Sequence, residues 1–148
     1  MTALHLARGD DLERVLPLVA AFHQERALPL DEPACRAGLG PLLEGVPHGV
    51  VYLIGPARAP IGYVIISFGW SVTLGGMEGT VKEIFIRPGV RGRGIGSEIL
   101  KELAKALGQA GLTALHVDLP RDDDRSLRFY TKLRFAPGPD HLRLTLSH

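Results

Sequence analysis

Apolar residues recur at helical spacing in two long segments of the chain. Residues 10–25 have apolar positions every three or four residues and predict a helix with a kink at Pro17. Residues 95–107 show the same period, with lysines and glutamates on the opposite face, and predict a second amphipathic helix. Between these two segments, a proline-rich stretch predicts a short, irregular helix from about Pro33 to Leu43.

Strands are predicted where β-branched and aromatic residues cluster or alternate with polar ones. Residues 49–55 and 61–69 are joined by five residues, the length of a hairpin connection, and predict an antiparallel pair. A glycine-rich link at residues 70–79 follows them. The full set of predicted strands comprises residues 3–7, 49–55, 61–69, 80–86, 112–120 and 141–147. A short helix is predicted within residues 122–135.

The order of these elements predicts the architecture. The helix at residues 95–107 joins strand 80–86 to strand 112–120, which is the pattern of a right-handed parallel crossover. We therefore expect a mixed α/β fold, with a mostly antiparallel sheet, a central parallel strand pair and helices on both faces. At 148 residues, the chain has the length of a single domain that spans residues 1–148.

Composition and charge narrow the class of ligand. The chain is 45% hydrophobic and 22% charged, with a net charge of +1, which is typical of a globular protein and gives no basic excess for nucleic acid. The charge is uneven, because residues 1–80 hold five Lys/Arg and eight Asp/Glu, whereas residues 81–148 hold twelve and eight. The second half is therefore where an anionic ligand is favoured.

Targeting and redox signals are absent from the sequence. Cys35 is the single cysteine, which excludes an intramolecular disulfide and a thiolate metal cluster, and no metal site is expected. We find no signal-peptide pattern and no apolar run of the roughly 18 residues that a membrane span requires. We expect a soluble, cytoplasmic protein without a membrane partner.

A glycine-arginine turn, residues 91–96, opens the helix at residues 95–107. The first amides of a helix have no internal partner and the helix dipole adds positive charge, so glycines here allow a phosphate to approach the backbone. Two nucleotide motifs fit poorly: Ile95 stands where a Walker loop needs lysine, and Ser97 stands where a dinucleotide fingerprint needs a third glycine. The alternative is a turn that only reverses the chain.

The motif Arg91-x-x-Gly94-x-Gly96, which follows a strand and an Arg-Pro pair, resembles the acyl-CoA loop of the GNAT superfamily of N-acetyltransferases. Residues 122–135, DDDRSLRFYTKLRF, are similar to the second signature of that family and place Tyr130 on its tyrosine. Three positions depart from the family pattern: Asp123, Ser126 and Arg134 stand where the family often has asparagine, alanine and glycine. The resemblance covers nearly the whole chain.

This resemblance implies the GNAT fold, acetyl-CoA as the co-substrate and an N-acetyltransferase activity. It implies that the backbone of Phe85, Ile86 and Arg87 pairs with the pantetheine amides. The other residues that the resemblance assigns to CoA binding are Arg91, Gly92, Arg93, Gly94, Ile95, Gly96, Ser97, Asp123, Ser126 and Tyr130. Homodimers are usual in the family, so a homodimer is expected.

The resemblance also suggests the catalytic residues. Tyr130 is the candidate proton donor for the leaving thiolate, and its alternative role is that of a packed helix aromatic. Glu83 is the candidate base, although relatives often carry an acid at the position of Lys82. Regular strand alternation places Lys82 and Glu83 on opposite faces unless a bulge redirects one of them. The alternative for Glu83 is a solvated strand residue.

The candidate contacts with the amine that accepts the acetyl group are His23, Glu25, Trp70 and Lys82. Residues 67–88 also resemble bacterial enzymes of the diamine and polyamine group, but Lys82 disfavours a polycation. We expect a small primary amine, such as a polyamine, an amino acid or an antibiotic amine. The alternatives are a protein N-terminus or lysine, and a non-catalytic CoA-binding module. RNA binding through the Arg-Gly turn is disfavoured because no aromatic residues are interleaved with it.

Overall fold

The computed structural model describes residues 2–28 and 30–148. It divides into two compact units, of which the first ends at Asp118 and the second comprises Leu119–His148. None of the helices in the described residues is long and apolar enough to cross a bilayer.

The first unit contains a five-stranded sheet in the order β1-β2-β3-β4-β5. The strands are β1 (Leu4–Leu6), β2 (Gly49–Ile54), β3 (Gly62–Ser71), β4 (Gly76–Ile86) and β5 (Ala114–Val117). Neighbouring strands are antiparallel except β4 and β5, which are parallel. The mixed sheet is thus confirmed, but the parallel pair lies at one edge of these five strands and not at the centre.

The glycine-rich link predicted at residues 70–79 is mostly strand. β3 and β4 both extend into it, and Trp70 pairs with Met77. Only residues 72–75 form the turn, where Gly75 adopts a positive φ of 75°. Neighbouring groups leave little room for a side chain at the glycines of β4. A Cβ on Gly76 would lie 2.7 Å from the Thr113 side chain.

Among the described residues, three α-helices belong to the first unit: α1 (Leu12–Glu25), α2 (Glu32–Leu43) and α3 (Ile95–Gln109). The prediction that α2 is short and irregular was wrong, because it runs for 12 residues. Its N-terminus is capped by the Asp31 carboxylate, which accepts from the Ala34 amide at 2.8 Å. Pro33 lies in the first turn, where the missing N–H removes no helical hydrogen bond.

The two faces of the sheet carry different helices. Tyr63 and Phe85 lie in one hydrophobic cluster with the buried faces of α1 and α2. Val64 and Ile66 point to the opposite face from Tyr63 and are buried outside that cluster. Three residues of α3 are also buried outside it, namely Ile99, Leu100 and Leu103. Each fully buried aliphatic side chain stabilises the fold by about 1.5–3 kcal/mol, so both faces contribute substantially.

A β-bulge interrupts β4 at Lys82. Ile65 pairs with Glu83 and Ile66 pairs with Val81, which leaves Lys82 as the extra residue. Because paired residues share a face and alternation is regular from Glu83 to Phe85, Glu83 lies on the face covered by α1 and α2, and the bulge sets the face of Val81. Val81 is directed to the opposite face, and Lys82 is exposed.

The second unit contains α4 (Asp124–Lys132), which is capped by the Asp123 carboxylate on the Ser126 amide at 3.0 Å. The prediction of a strand at residues 141–147 was wrong. Leu142, Leu144 and Leu146 are 86%, 86% and 82% exposed, and this segment pairs with no strand in the described residues. Alternation specifies the face of a strand, but a strand forms only where a neighbour accepts its hydrogen bonds.

The C-terminus of α4 is a Schellman motif. The Arg134 amide donates to Thr131 O and the Phe135 amide donates to Tyr130 O, both at 3.0 Å. Arg134 occupies the left-handed position with a φ of 72°, where glycine is usual.

Substitution Arg134→Gly is therefore expected to stabilise the protein. A side chain in the left-handed region costs about 1–2 kcal/mol, and the greater freedom of glycine in the unfolded chain offsets about half of that. We expect a gain of about 0.5 kcal/mol in the free energy of unfolding, measured by urea denaturation. The control is Arg128→Gly within the same helix, which should lose about 1 kcal/mol. Destabilisation by Arg134→Gly would contradict the expectation.

Candidate active site

A cluster of polar side chains lies beneath α1, on the face of the sheet that α1 and α2 cover. The Glu83 carboxylate accepts a hydrogen bond from the Tyr63 hydroxyl at Oε1, at 2.7 Å. Its Oε2 lies 3.0 Å from His23 Nε2. The side chains of His23 and Glu83 are 16% and 20% exposed. The structure thus brings together two residues that were predicted for different roles, the acceptor contact His23 and the candidate base Glu83.

Tyr63 is the member of this cluster that sequence reasoning missed. It is fully buried, between Phe22 and Phe85 at ring-centroid distances of 6.2 Å from each. Burial raises the pKa of its hydroxyl far above the usual range, and the neighbouring Glu83 carboxylate raises it further. Tyr63 therefore stays a protonated donor at any ordinary pH. A tyrosine in an apolar strand gave no chemical signal in the sequence.

Cys35 approaches the cluster from α2. It is 6% exposed, and burial raises the pKa of its thiol, with a smaller contribution from the Glu83 charge. The thiol is thus held in its neutral form, which does not favour nucleophilic chemistry.

A cavity of about 290 Å³ lies beside the cluster, between α1 and α2. Leu16, Val19 and Ala20 give it an apolar wall, and His23 and Cys35 also line it. The exposed carboxylates of Glu13 and Glu32 belong to the same lining, and both form ion pairs with Arg36, at 2.8 and 3.0 Å. Two carboxylates and one guanidinium leave one net negative charge at this side of the cavity.

The glycine turn lies between β4 and α3. Gly92 and Gly94 have positive φ angles of 80° and 77°, which strain any other residue. Within residues 2–28 and 30–148, the backbone amides of residues 92–97 donate no hydrogen bond. The last three of these amides belong to the first turn of the 15-residue helix α3, and amides at such a position suit an anion.

The two arginines of the turn, Arg91 and Arg93, differ in their contacts. Arg91 donates to Glu25 and to the Ile86 carbonyl oxygen, both at 2.7 Å, and its guanidinium lies 5.3 Å from the Phe85 ring centroid. Arg93 is exposed and forms no ion pair in the described part of the chain. Arg91 is thus held against α1 and β4, while Arg93 extends into solvent.

The end of β4 is firmly paired. Ile86 pairs with Gly62, and the Arg87 amide donates to Ile61 O at 2.8 Å. The side chain of Phe85 is buried in the hydrophobic cluster. The backbone of residues 85–87 is therefore fixed immediately before the turn.

Trp70 and Lys82 are not part of the cluster around Glu83. Trp70 is 71% exposed on the hairpin, and Lys82 is exposed at the bulge. Lys82 forms no ion pair with any residue that the structure describes.

In the second unit, Tyr130 is 5% exposed. Its ring makes edge contacts with Phe129 and Phe135, at centroid distances of 5.1 and 5.2 Å. Both Asp123 and Ser126 serve the cap of α4, the first through its carboxylate and the second through its amide. This packing accounts for the aromatic residues of the second signature.

Comparisons with known proteins agree with this architecture. A search of curated proteins finds no significant match. An integron cassette protein from the mobile metagenome of Cole Harbour Salt Marsh is 26% identical, with a TM-score of 0.84 over 98% of this chain and 91% of that one. An aminoglycoside acetyltransferase from an uncultured soil metagenomic sample is 15% identical, with a TM-score of 0.79 over 99% and 97%.

A ribosomal-protein-alanine N-acetyltransferase from Brucella melitensis biovar Abortus 2308 is 19% identical, with a TM-score of 0.77 over 100% of this chain and 99% of that one. These two acetyltransferases share the fold and differ in acceptor. Residues 5–135 match the acetyltransferase (GNAT) family, and the chain therefore belongs to that family of acetyltransferases.

Proposed function

We propose that this protein is an N-acetyltransferase that moves the acetyl group of acetyl-CoA to the primary amine of a small molecule. The observation that carries the proposal is the position of Glu83. This partly exposed carboxylate lies on the α1 side of β4, three residues before the end of the strand, and the chain then runs through the glycine turn into α3.

The residues present fit the donor. The unpaired amides of residues 92–97, with Arg93 beside them, suit a pyrophosphate, and the backbone of Phe85, Ile86 and Arg87 would hold the pantetheine arm. On the resemblance alone, Asp123, Ser126 and Tyr130 of the second unit are also assigned to acetyl-CoA. When bound, acetyl-CoA supplies an acetyl group activated as a thioester.

Two groups would handle protons. A primary amine must lose a proton to become an amide, and Glu83 is the proposed acceptor of that proton. The departing CoA thiolate needs a proton, which we assign to Tyr130 on the resemblance of the second signature.

The proposed acceptor is a small primary amine with an apolar body. The cavity between α1 and α2 supports this class through its apolar wall and its net negative charge at Glu13, Glu32 and Arg36. His23, Glu25, Trp70 and Lys82 were the predicted contacts, and His23 is the one that lines this cavity. An aminoglycoside acetyltransferase among the similar structures is compatible with a small acceptor.

A peptide N-terminus is the second candidate, because a ribosomal-protein-alanine N-acetyltransferase shares the fold. A homodimer and a cytoplasmic location stay predictions.

The test is a transfer assay with polyamines, amino acids, aminoglycosides, alkylamines and short peptides, read by CoA release and by the mass of the acetylated product. We expect turnover with at least one small amine. Turnover with peptides alone would favour the second candidate. Binding of acetyl-CoA that raises the melting temperature without any turnover would support a non-catalytic CoA-binding module and contradict the proposal.

The contrast between the two arginines gives a prediction about the donor. Arg93→Ala is expected to weaken acetyl-CoA binding about fivefold, because one exposed charge-assisted contact to phosphate is lost. Isothermal titration calorimetry at two salt concentrations measures the dissociation constant, and the weakening should shrink at high salt.

The matched control is Arg8→Ala, which removes an exposed arginine after β1, the strand at the opposite edge of the sheet from the pair β4 and β5. It should leave the dissociation constant within about twofold, since surface charges distant from a ligand are screened. Equal effects of the two substitutions would show that only the overall charge matters.

A further inference from the structure

We propose that Tyr63 and His23 are positioning residues that hold the Glu83 carboxylate in one orientation for proton transfer. This inference rests on the proposed function, and it moves His23 from the acceptor pocket to the support of the base. The residues concerned come from three different elements, β3, α1 and β4.

The geometry gives each carboxylate oxygen its own donor. The Tyr63 hydroxyl bonds Oε1 at 2.7 Å, and His23 Nε2 lies 3.0 Å from Oε2. A carboxylate has two acceptor sites on each oxygen, so one site on each remains for a substrate proton. Two donors from separate elements restrict rotation of the Glu83 side chain more strongly than one would.

Both donors are themselves immobilised. The Tyr63 ring is fully buried and packs against Phe22 and Phe85. The His23 ring makes an edge contact with Phe22 at a centroid distance of 5.4 Å. Phe22 thus supports both donors, and its own side chain is buried in the α1 face of the core.

The tautomer of His23 follows from its surroundings. Its Nδ1 atom is buried and has no hydrogen-bond partner in the described residues. A proton there would be a buried donor without an acceptor, which costs about 1–3 kcal/mol. The hydrogen is therefore placed on Nε2, from which it is donated to Glu83. In this state His23 is a neutral donor, which suits support of a base and not the role of a base.

The other groups that face Glu83 do not replace these donors. Cys35 approaches from α2 and keeps its proton on the thiol because burial raises its pKa. Lys82 precedes Glu83 on β4, but it is exposed at the bulge and forms no ion pair with the residues described. The hydroxyl of Tyr63 and the imidazole of His23 are the groups hydrogen-bonded to the carboxylate.

The consequence for catalysis is a dependence of the rate on the orientation of the carboxylate. A general base must lie within hydrogen-bond reach of the proton that it accepts. Without one of its two donors, the Glu83 side chain gains rotational freedom. The rate of proton transfer should therefore fall, while binding of the amine is preserved.

The test compares Tyr63→Phe, His23→Leu and His23→Gln with the native protein. The first two should lower kcat about tenfold and leave the KM for the amine within about twofold, because the carboxylate loses its orientation while the contacts with the amine remain. Glutamine offers an N–H near the position of His23 Nε2, so His23→Gln should recover most of the lost kcat. A raised KM with an unchanged kcat in His23→Leu would overturn the inference and return His23 to the acceptor pocket.

A second measurement does not depend on turnover. Carbon NMR spectra of protein labelled at the glutamate carboxyl carbons report the hydrogen bonds of Glu83 directly, with Glu83→Gln identifying its signal. The Glu83 signal should move in Tyr63→Phe and His23→Leu, and it should return towards its native position in His23→Gln. A signal that does not move in the first two variants would refute the positioning roles. If the signal moves but no amine is acetylated, the proposed function fails while the hydrogen-bonded arrangement stands.

Discussion

Substitution Glu83→Gln is expected to lower kcat for acetyl transfer by about 10²–10³-fold. Loss of a well-placed general base typically costs 10²–10⁴-fold, and solvent water can replace part of its role. Glutamine keeps the size of the side chain and can still bond Tyr63 and His23, so the loss reflects the missing basicity. Steady-state kinetics with the best amine from the panel measure it, and thermal unfolding confirms that the variant is folded.

The matched control is Glu78→Gln, on the same strand. Glu78 lies on the other side of the bulge from Glu83 and pairs with His116 at 3.0 Å. This variant should keep kcat within about twofold, because the Glu78 carboxylate is partly exposed and takes no part in the cluster around Glu83. If Glu83→Gln retains a third or more of the native kcat, the amine proton leaves by another route, such as a chain of water molecules.

Substitution Gly62→Ala should destabilise the fold by about 2–3 kcal/mol. A Cβ on Gly62 would collide with the backbone oxygen of Phe85 and lie 3.1 Å from Ile86 Cα. Backbone atoms of a paired strand cannot rotate away as a flexible side chain does, so β3 and β4 must move apart. Urea denaturation measures the free energy of unfolding.

Gly69→Ala is the control for this prediction, since it is the same substitution on the same strand. No atom lies within 4 Å of a Cβ built on Gly69 in the described residues, and the site is exposed. Its free energy of unfolding should change by less than about 0.5 kcal/mol. Equal effects at both positions would mean that the conformational freedom of glycine, and not the close approach of β4, determines the cost.

Much of this fold could be predicted because helical and strand periods reflect burial. The period of α1 and α3, the hairpin between β2 and β3, and the crossover into β5 all follow from local patterns. The failures differ in cause. The length of α2 was underestimated although its cap and its first-turn proline are local, whereas a strand depends on a partner distant in sequence. Residues 141–147 alternate as a strand does, yet no described strand pairs with them.

The candidate site was predicted unevenly for the same reason. Glycines in the turn carry a local signature, and their positive φ angles agree with it. Glu83 and Tyr63 are hydrogen-bonded although they lie 20 positions apart in the sequence. Glu83 and His23 are in contact although they lie 60 positions apart. The ion pair of Arg91 with Glu25 spans 66 residues and likewise has no local signal.

The bulge at Lys82 has a consequence for sequence alignment. The ladder between β3 and β4 is regular on both sides of Lys82, so removal of this one residue would leave every other pair on its present face. Val81 and Glu83 are therefore two residues apart in the sequence but occupy neighbouring positions in the ladder. A relative whose strand lacks the extra residue matches Glu83 only when a single-residue gap is placed at Lys82.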